Sequence, residues 1–221
     1  MLFRSVSHVI PRHNWTSNTI YTAYDDKSTN LYDSNTIFYV MNSTYSVYKC
    51  IANNYSRPST IEPTSLNPQI ISTTGDGYSW KYMYTVNDSE KLRFVTDSFI
   101  PVKTLTGDDG SLQWQVQNTT ISGAISSILV TNSGNNYTNV SNITITITGD
   151  GKSATAIPTV NTSTNTISNI IVTDSGKDYT YADVSITDTG IGSGATARAI
   201  ISPLNGHGSD PVYELGGKNI L

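Results

Sequence analysis

The chain has 221 residues, enough for one large or two modest domains whose core needs no covalent staples. Charged side chains make up only 14% and the net charge is −4, with 13 Lys+Arg spread along the chain; this excludes a broad phosphate-binding face, and with it nucleic acid, as the main business of the protein. Ser, Thr and Asn account for roughly a third of the residues, a polar but little-charged balance that fits a solenoid, shell or fibre-type protein.

Residues 1–10 carry Arg4, Ser5, Ser7 and His8 in place of an apolar signal core, and apolar runs elsewhere are short, so neither a membrane span nor an export address is expected. Cys50 stands alone, which removes any internal disulfide or multi-cysteine zinc cluster and points to a reducing compartment. Asn-x-Ser/Thr triplets such as Asn14-Trp15-Thr16 follow from composition without a secretory signal to give them meaning.

In chain order, residues 1–120 read as an aromatic, loop-rich β domain. Pro58, Pro63 and Pro68 break up any long helix. Phe38–Met41, Val47–Ile51 and Tyr78–Val86 read as strands, and in the last of these Tyr78, Trp80, Tyr82 and Tyr84 fall on one face by the two-residue period. That row is either a core face or, because Tyr and Trp favour contacts with one polar end, a subunit-contact face. Asp88–Phe94 reads as a helical turn capped by Asp88. Helix content is expected to be low.

From Ile121 the aromatics thin out and β-branched residues alternate with polar ones: Ile143, Ile145 and Ile147 on one side, Thr144, Thr146 and Thr148 on the other. The segment Ile125–Tyr137 returns as Ile167–Tyr179, and Gly149-Asp150-Gly151 with Ala154-Thr155-Ala156 returns as Gly190-Ile191-Gly192 with Ala195-Thr196-Ala197. The offset is about 42 residues. Residues 121–203 are therefore expected to form a small β-sandwich-like domain of two repeats, with strands at 125–131, 142–148, 153–160, 167–173, 183–188 and 195–201. Residues 204–221 then return to the first domain through a Pro- and Gly-rich loop. The fold class is mainly β.

Acid–base chemistry has few carriers: His8, His13, His207 and the glutamates Glu62, Glu90 and Glu214. His207, Ser209 and Asp210 are too close in sequence to align as a triad, and the acids at Asp25-Asp26, Asp108-Asp109, Gly75-Asp76-Gly77 and Gly149-Asp150-Gly151 lack the spacing of a calcium loop and read as turns. Gly190-Ile191-Gly192-Ser193-Gly194 leads into strand residues, not the helix a phosphate loop needs. No catalytic residue, metal site or cofactor is expected. Tyr137, Tyr179 and Tyr181 are the rings available for stacking on a sugar, which keeps a glycan- or fibre-binding module of a phage tail as an alternative; a glycosidase needs paired carboxylates, and the repeat region has no Glu.

Several strings of the aromatic half carry a resemblance. Val9-Ile10-Pro11-Arg12-His13-Asn14-Trp15, Val47-Tyr48-Lys49-Cys50, Ser59-Thr60-Ile61-Glu62-Pro63-Thr64, Asp76-Gly77-Tyr78-Ser79-Trp80-Lys81-Tyr82-Met83-Tyr84 and Phe99-Ile100-Pro101-Val102 resemble, in order and spacing, the baseplate wedge subunit of T-even-type contractile-tailed bacteriophages. Gly206–Gly216 resembles a stretch beyond that family's central region, and the repeats between look like an inserted domain. The resemblance implies a non-enzymatic virion protein of the tail baseplate, assembled in the host bacterial cytoplasm. It implies pairing with a second copy as a homodimer and docking onto other wedge proteins. Trp15, Tyr78, Trp80, Tyr82 and Tyr84 are the expected contact residues, read as large rigid side chains. Only eight residues precede Val9 and few follow Glu214, where the family has further segments, so the resemblance implies a short or incomplete chain whose missing strand partners come from elsewhere.

Overall fold

The computed structural model describes residues 6–221, which form two compact units, one of residues up to Thr120 together with His207–Leu221, the other Ile121–Gly206. In chain order the elements are β1 (His8–Pro11), β2 (Tyr39–Met41), β3 (Ser46–Asn53), β4 (Ile71–Thr73), β5 (Tyr78–Thr85), α1 (Asp88–Phe94), β6 (Phe99–Val102) and α2 (Leu112–Asn118). The second unit holds β7 (Ile125–Asn135), β8 (Ile143–Gly149), β9 (Lys152–Asn161), β10 (Thr166–Lys177), β11 (Ala182–Asp188) and β12 (Ser193–Ile201). The return segment adds α3 (Pro211–Glu214) and β13 (Asn219–Ile220). The protein is mainly β, and its sheets are antiparallel.

The first unit contains a four-stranded sheet in the order β2-β3-β5-β4 and a three-stranded one in the order β13-β1-β6. Tyrosine hydroxyls join them: Tyr39 Oη donates to the Pro11 carbonyl and Tyr84 Oη to the Pro101 carbonyl, both at 2.8 Å. Strand β5 is buried from Trp80 to Tyr84 on both faces. Its register against β3 shifts between the pairs Val47–Tyr84 and Tyr48–Tyr82, leaving Met83 as an extra residue. That bulge breaks the two-residue alternation. Tyr82 shares a face with Tyr48, whereas Tyr84 lies with Val47 on the other, so the expected single row of four rings is a row of three. Tyr78 and Trp80 stack at 5.5 Å with 17° between planes, and Tyr21 meets Trp80 edge-on at 5.6 Å.

Helix α1 starts one residue earlier than the sequence pattern indicates. Asn87, not Asp88, is the cap, its side chain accepting the Glu90 N–H at 2.9 Å, while Asp88 pairs with Lys91 one turn on. Helix α2 has no strong periodicity in sequence; Ser111 caps it by accepting the Trp114 N–H, and Val116 fills the core beneath it.

In the second unit all six strands fall where alternation placed them, but the two halves interleave in one sheet instead of stacking as separate three-stranded layers. The order is β8-β11-β12-β7-β10-β9, with β8 and β9 joined by a hairpin and brought together, so the sheet nearly closes into a barrel. Interleaving buries both apolar faces in one interior and leaves fewer open edges than two small sheets have. Ile125, Ile128, Ile143, Ile167 and Ile170 line that interior, while the threonines of β8 face out.

Particular residues 42 positions apart meet each other or sit in comparable surroundings. Ile128 pairs directly with Ile170, and β8 pairs with β11 along its whole length. Bulges fall between Ile125 and Ser127 and between Val130 and Asn132 on β7, and between Ile167 and Asn169 and between Val172 and Asp174 on β10, where they bend the long strands around the core. Tyr137 and Tyr179 are both buried, and their hydroxyls accept the N–H of Ala195 and Ala154 at 3.3 Å. Each ring lies flat against a glycine: a Cβ at Gly192 would come within 2.4 Å of Tyr137, and one at Gly151 within 2.3 Å of Tyr179. Gly192→Ala and Gly151→Ala should each cost about 1–3 kcal/mol of stability in chemical denaturation, because no rotation at the alanine relieves the overlap. Unchanged midpoints in both variants would show that the rings do not hold these hairpins.

Candidate functional site

A cluster of charged side chains is buried in the first unit. Lys49 on β3 and Lys81 on β5 sit directly opposite each other, 1% and 4% exposed. Two cations in such a pair repel, and each loses its hydration. Glu214 of α3 compensates. Its Oε2 accepts from Lys49 Nζ at 2.8 Å, and its Oε1 accepts the Gly208 N–H at 2.7 Å and the Asp210 N–H at 3.3 Å. Lys81 Nζ donates to the Pro68 carbonyl at 2.7 Å. The Tyr24 ring lies under Lys49 Nζ at 4.3 Å and meets His207 edge-on at 4.7 Å, while His207 Nδ1 stands 3.9 Å from Glu214 Oε2.

Burial governs the protonation of this cluster. It lowers the Lys49 pKa against the opposing pull of Glu214, and brings Lys81 down to about 8, again opposed by Glu214. It also holds His207 well below 6.5, with the fields of Lys49 and Lys81 acting the same way, so the imidazole is neutral at pH 7.

The local sequence explains how Glu214 arrives there. Pro211 opens α3 and Asp210 caps it by accepting the Tyr213 N–H at 3.1 Å and the Thr104 hydroxyl. Gly208 has φ of +95°, and a Cβ there would come 2.3 Å from Val116, so only glycine lets the turn press against α2 and aim its N–H at the carboxylate. His207, Ser209 and Asp210 therefore do not form a triad: the imidazole faces Glu214, and the Asp210 carboxylate is occupied as a cap.

The acids first read as turns spend their oxygens on local donors. Asp76 accepts from the Thr60 and Ile61 N–H groups at 2.7 and 2.9 Å, the Ser59 hydroxyl at 3.1 Å, the Thr74 hydroxyl and the Tyr78 N–H. Desolvation pushes its pKa up, but these bonds, led by Thr74, outweigh it and bring the carboxyl down to about 2. Asp150 accepts from the Thr180 hydroxyl and the Thr180 and Tyr181 N–H groups, and Asp25, Asp108 and Asp109 each accept an N–H two residues ahead. Among the described residues no group of three or more His, Cys, Asp or Glu is arranged to hold a metal ion.

The expected contact residues fall inside the fold. Tyr78, Trp80, Tyr82 and Tyr84 are 0–3% exposed and pack inside the first unit, the core face of the two readings of that strand. Trp15 is half-buried and donates from Nε1 to Ser59 Oγ at 3.2 Å. Of the three rings considered for sugar stacking, Tyr137 and Tyr179 are buried and Tyr181 is 59% exposed. Glu214 was named from sequence only among the few acid–base carriers, and Lys49 and Lys81 only within quoted strings, although a lysine inside an otherwise aromatic strand is a signal for a buried partner. No protein-family model, curated protein or solved structure matches this chain.

Glu214→Ala strands a buried ammonium and two N–H donors, and should cost about 3–5 kcal/mol in denaturant unfolding. A loss below 1 kcal/mol, about what an exposed pair contributes, would contradict the burial of the pair. The pH dependence has a fixed sign. The unfolded imidazole of His207 takes up its proton near pH 6.5 while the buried one resists, so unfolding binds a proton below that pH and stability falls on acidification. Below about pH 6.5 this contributes a slope of up to about 1.4 kcal/mol per pH unit, which His207→Asn should reduce.

Proposed function

We propose that this chain is a non-enzymatic structural subunit of a contractile-tail baseplate wedge, acting in the virion by packing against a second copy of itself and against other wedge proteins. The observation that supports the reading most is the meeting of Lys49 and Glu214. Each lies in a different string of the resemblance, 165 residues apart, and they come together as one buried pair. The other strings supply the framework of the same unit: β1, β3, β5 and β6, the Asp76-centred turn, and the return segment from His207. The barrel of residues 121–206 is an insertion in that framework's sequence.

In this reading the large rings of β5 give the subunit its rigidity, and contact surface comes from side chains the fold leaves outside. Leu92 on α1 and Tyr213 on α3 are 90% and 74% exposed, each on an element anchored by buried neighbours. Rigid, exposed apolar side chains are suited to association, since little conformational freedom is lost on contact.

Sedimentation of the purified protein, alone and mixed with the other proteins of a wedge, tests this. The reading predicts self-association and co-migration, weakened by Leu92→Glu or Tyr213→Glu without a change in thermal midpoint. A protein that stays monomeric and migrates independently of every wedge component would overturn it.

A further inference from the structure

We propose that the chain links itself covalently, closing an amide bond between Lys49 Nζ and Glu214 Cδ with release of one water. The inference rests on the geometry of the buried pair and is independent of the baseplate reading. Nζ already donates to Oε2 of the carboxyl group it would attack, at 2.8 Å, and the two side chains are 1% and 2% exposed. Holding the two groups in one place removes much of the entropy cost of bringing them together.

Burial also changes which state is favoured. An ammonium and a carboxylate each lose hydration inside the protein, whereas an amide carries no net charge and the water released returns to solvent. The lysine is the group that burial drives toward the free amine, the nucleophilic form.

The surroundings supply the remaining parts. One proton passes from Nζ to Oε2 along their hydrogen bond, leaving a neutral amine beside a neutral acid. The nitrogen lone pair then attacks Cδ, and the negative charge builds on Oε1, which already accepts the Gly208 and Asp210 N–H groups at 2.7 and 3.3 Å. Donors aimed at that oxygen stabilise a tetrahedral centre as an oxyanion hole does. The new C–N bond leaves a second proton to be shed from nitrogen. It passes to Oε2, beside which neutral His207 Nδ1 stands at 3.9 Å. The Cδ–Oε2 bond breaks, Oε2 departs as water with both protons, and the amide keeps one hydrogen; no oxidant, reductant or co-reactant takes part. The exposed pair Lys103–Glu90, 2.9 Å apart with side chains 43% and 21% exposed, keeps its hydration and stays ionic.

Intact-mass measurement of the purified full chain, followed by digestion and fragment sequencing, tests the link. The expected result is a mass lower than the sequence mass by one water, with the loss carried by a branched peptide that joins the segments around Lys49 and Glu214. Lys49→Arg, whose guanidinium is a poor nucleophile, should restore the full mass, and digestion of the untouched protein serves as the readout should that variant fail to fold. The sequence mass in the folded wild-type protein would overturn the proposal. So would a water loss located at Asp76-Gly77, Asp109-Gly110 or Asp150-Gly151, where a cyclic imide gives the same mass change, or one that persists in Lys49→Arg.

Discussion

Two lysines facing each other across neighbouring strands in a dry interior set the terms for the first unit. Neither Lys49 nor Lys81 could remain there without a counter-charge, and Glu214, which provides it, is reached only after the insertion has been made and the chain has come back. The return segment is therefore part of the core, though it is remote in sequence. Its turn at Gly208, its cap at Asp210 and its short helix all serve to hold one carboxylate in place, and beyond them β13 pairs with β1 to complete the three-stranded sheet. Local helix chemistry, long-range pairing and sheet completion follow from one buried contact.

The second unit is organised by packing instead of charge. Its interior is aliphatic, its outer face is largely polar with Leu129, Ile157 and Ile171 exposed among the polar residues, and its curvature comes from bulges at corresponding places on β7 and β10. Two tyrosines close the hairpin ends by lying on glycines, which turns a sequence feature with no chemistry into a requirement for a missing side chain. A unit built this way presents few charges, in keeping with the low charge of the chain.

Much of this was legible in the sequence where the signal was periodic. Nearly strict alternation of β-branched and polar residues placed the six barrel strands, and Gly149-Asp150-Gly151 read as a turn. How those strands join was not legible, because alternation reports faces and says nothing of which strand lies beside which. The same limit explains β5: a period of two put Tyr78, Trp80, Tyr82 and Tyr84 in a row, and the bulge at Met83, which depends on the partner strand, sent Tyr84 to the other face. Helix α2 lacked an apolar stripe, and nothing in its sequence was read as a helix start. The buried cluster was missed because Lys49 and Glu214 are meaningful only as a pair, and no local pattern connects residues so far apart.

Hydrogen–deuterium exchange of the folded protein addresses the central claim most directly. If the Lys49–Glu214 contact makes the return segment part of the core, the amides of Gly208, Leu215 and Gly217 should exchange together with those of β3 and β5, with similar protection. Exchange of residues 207–221 well ahead of those strands would show that the segment opens on its own, and that the buried pair does not hold the unit together.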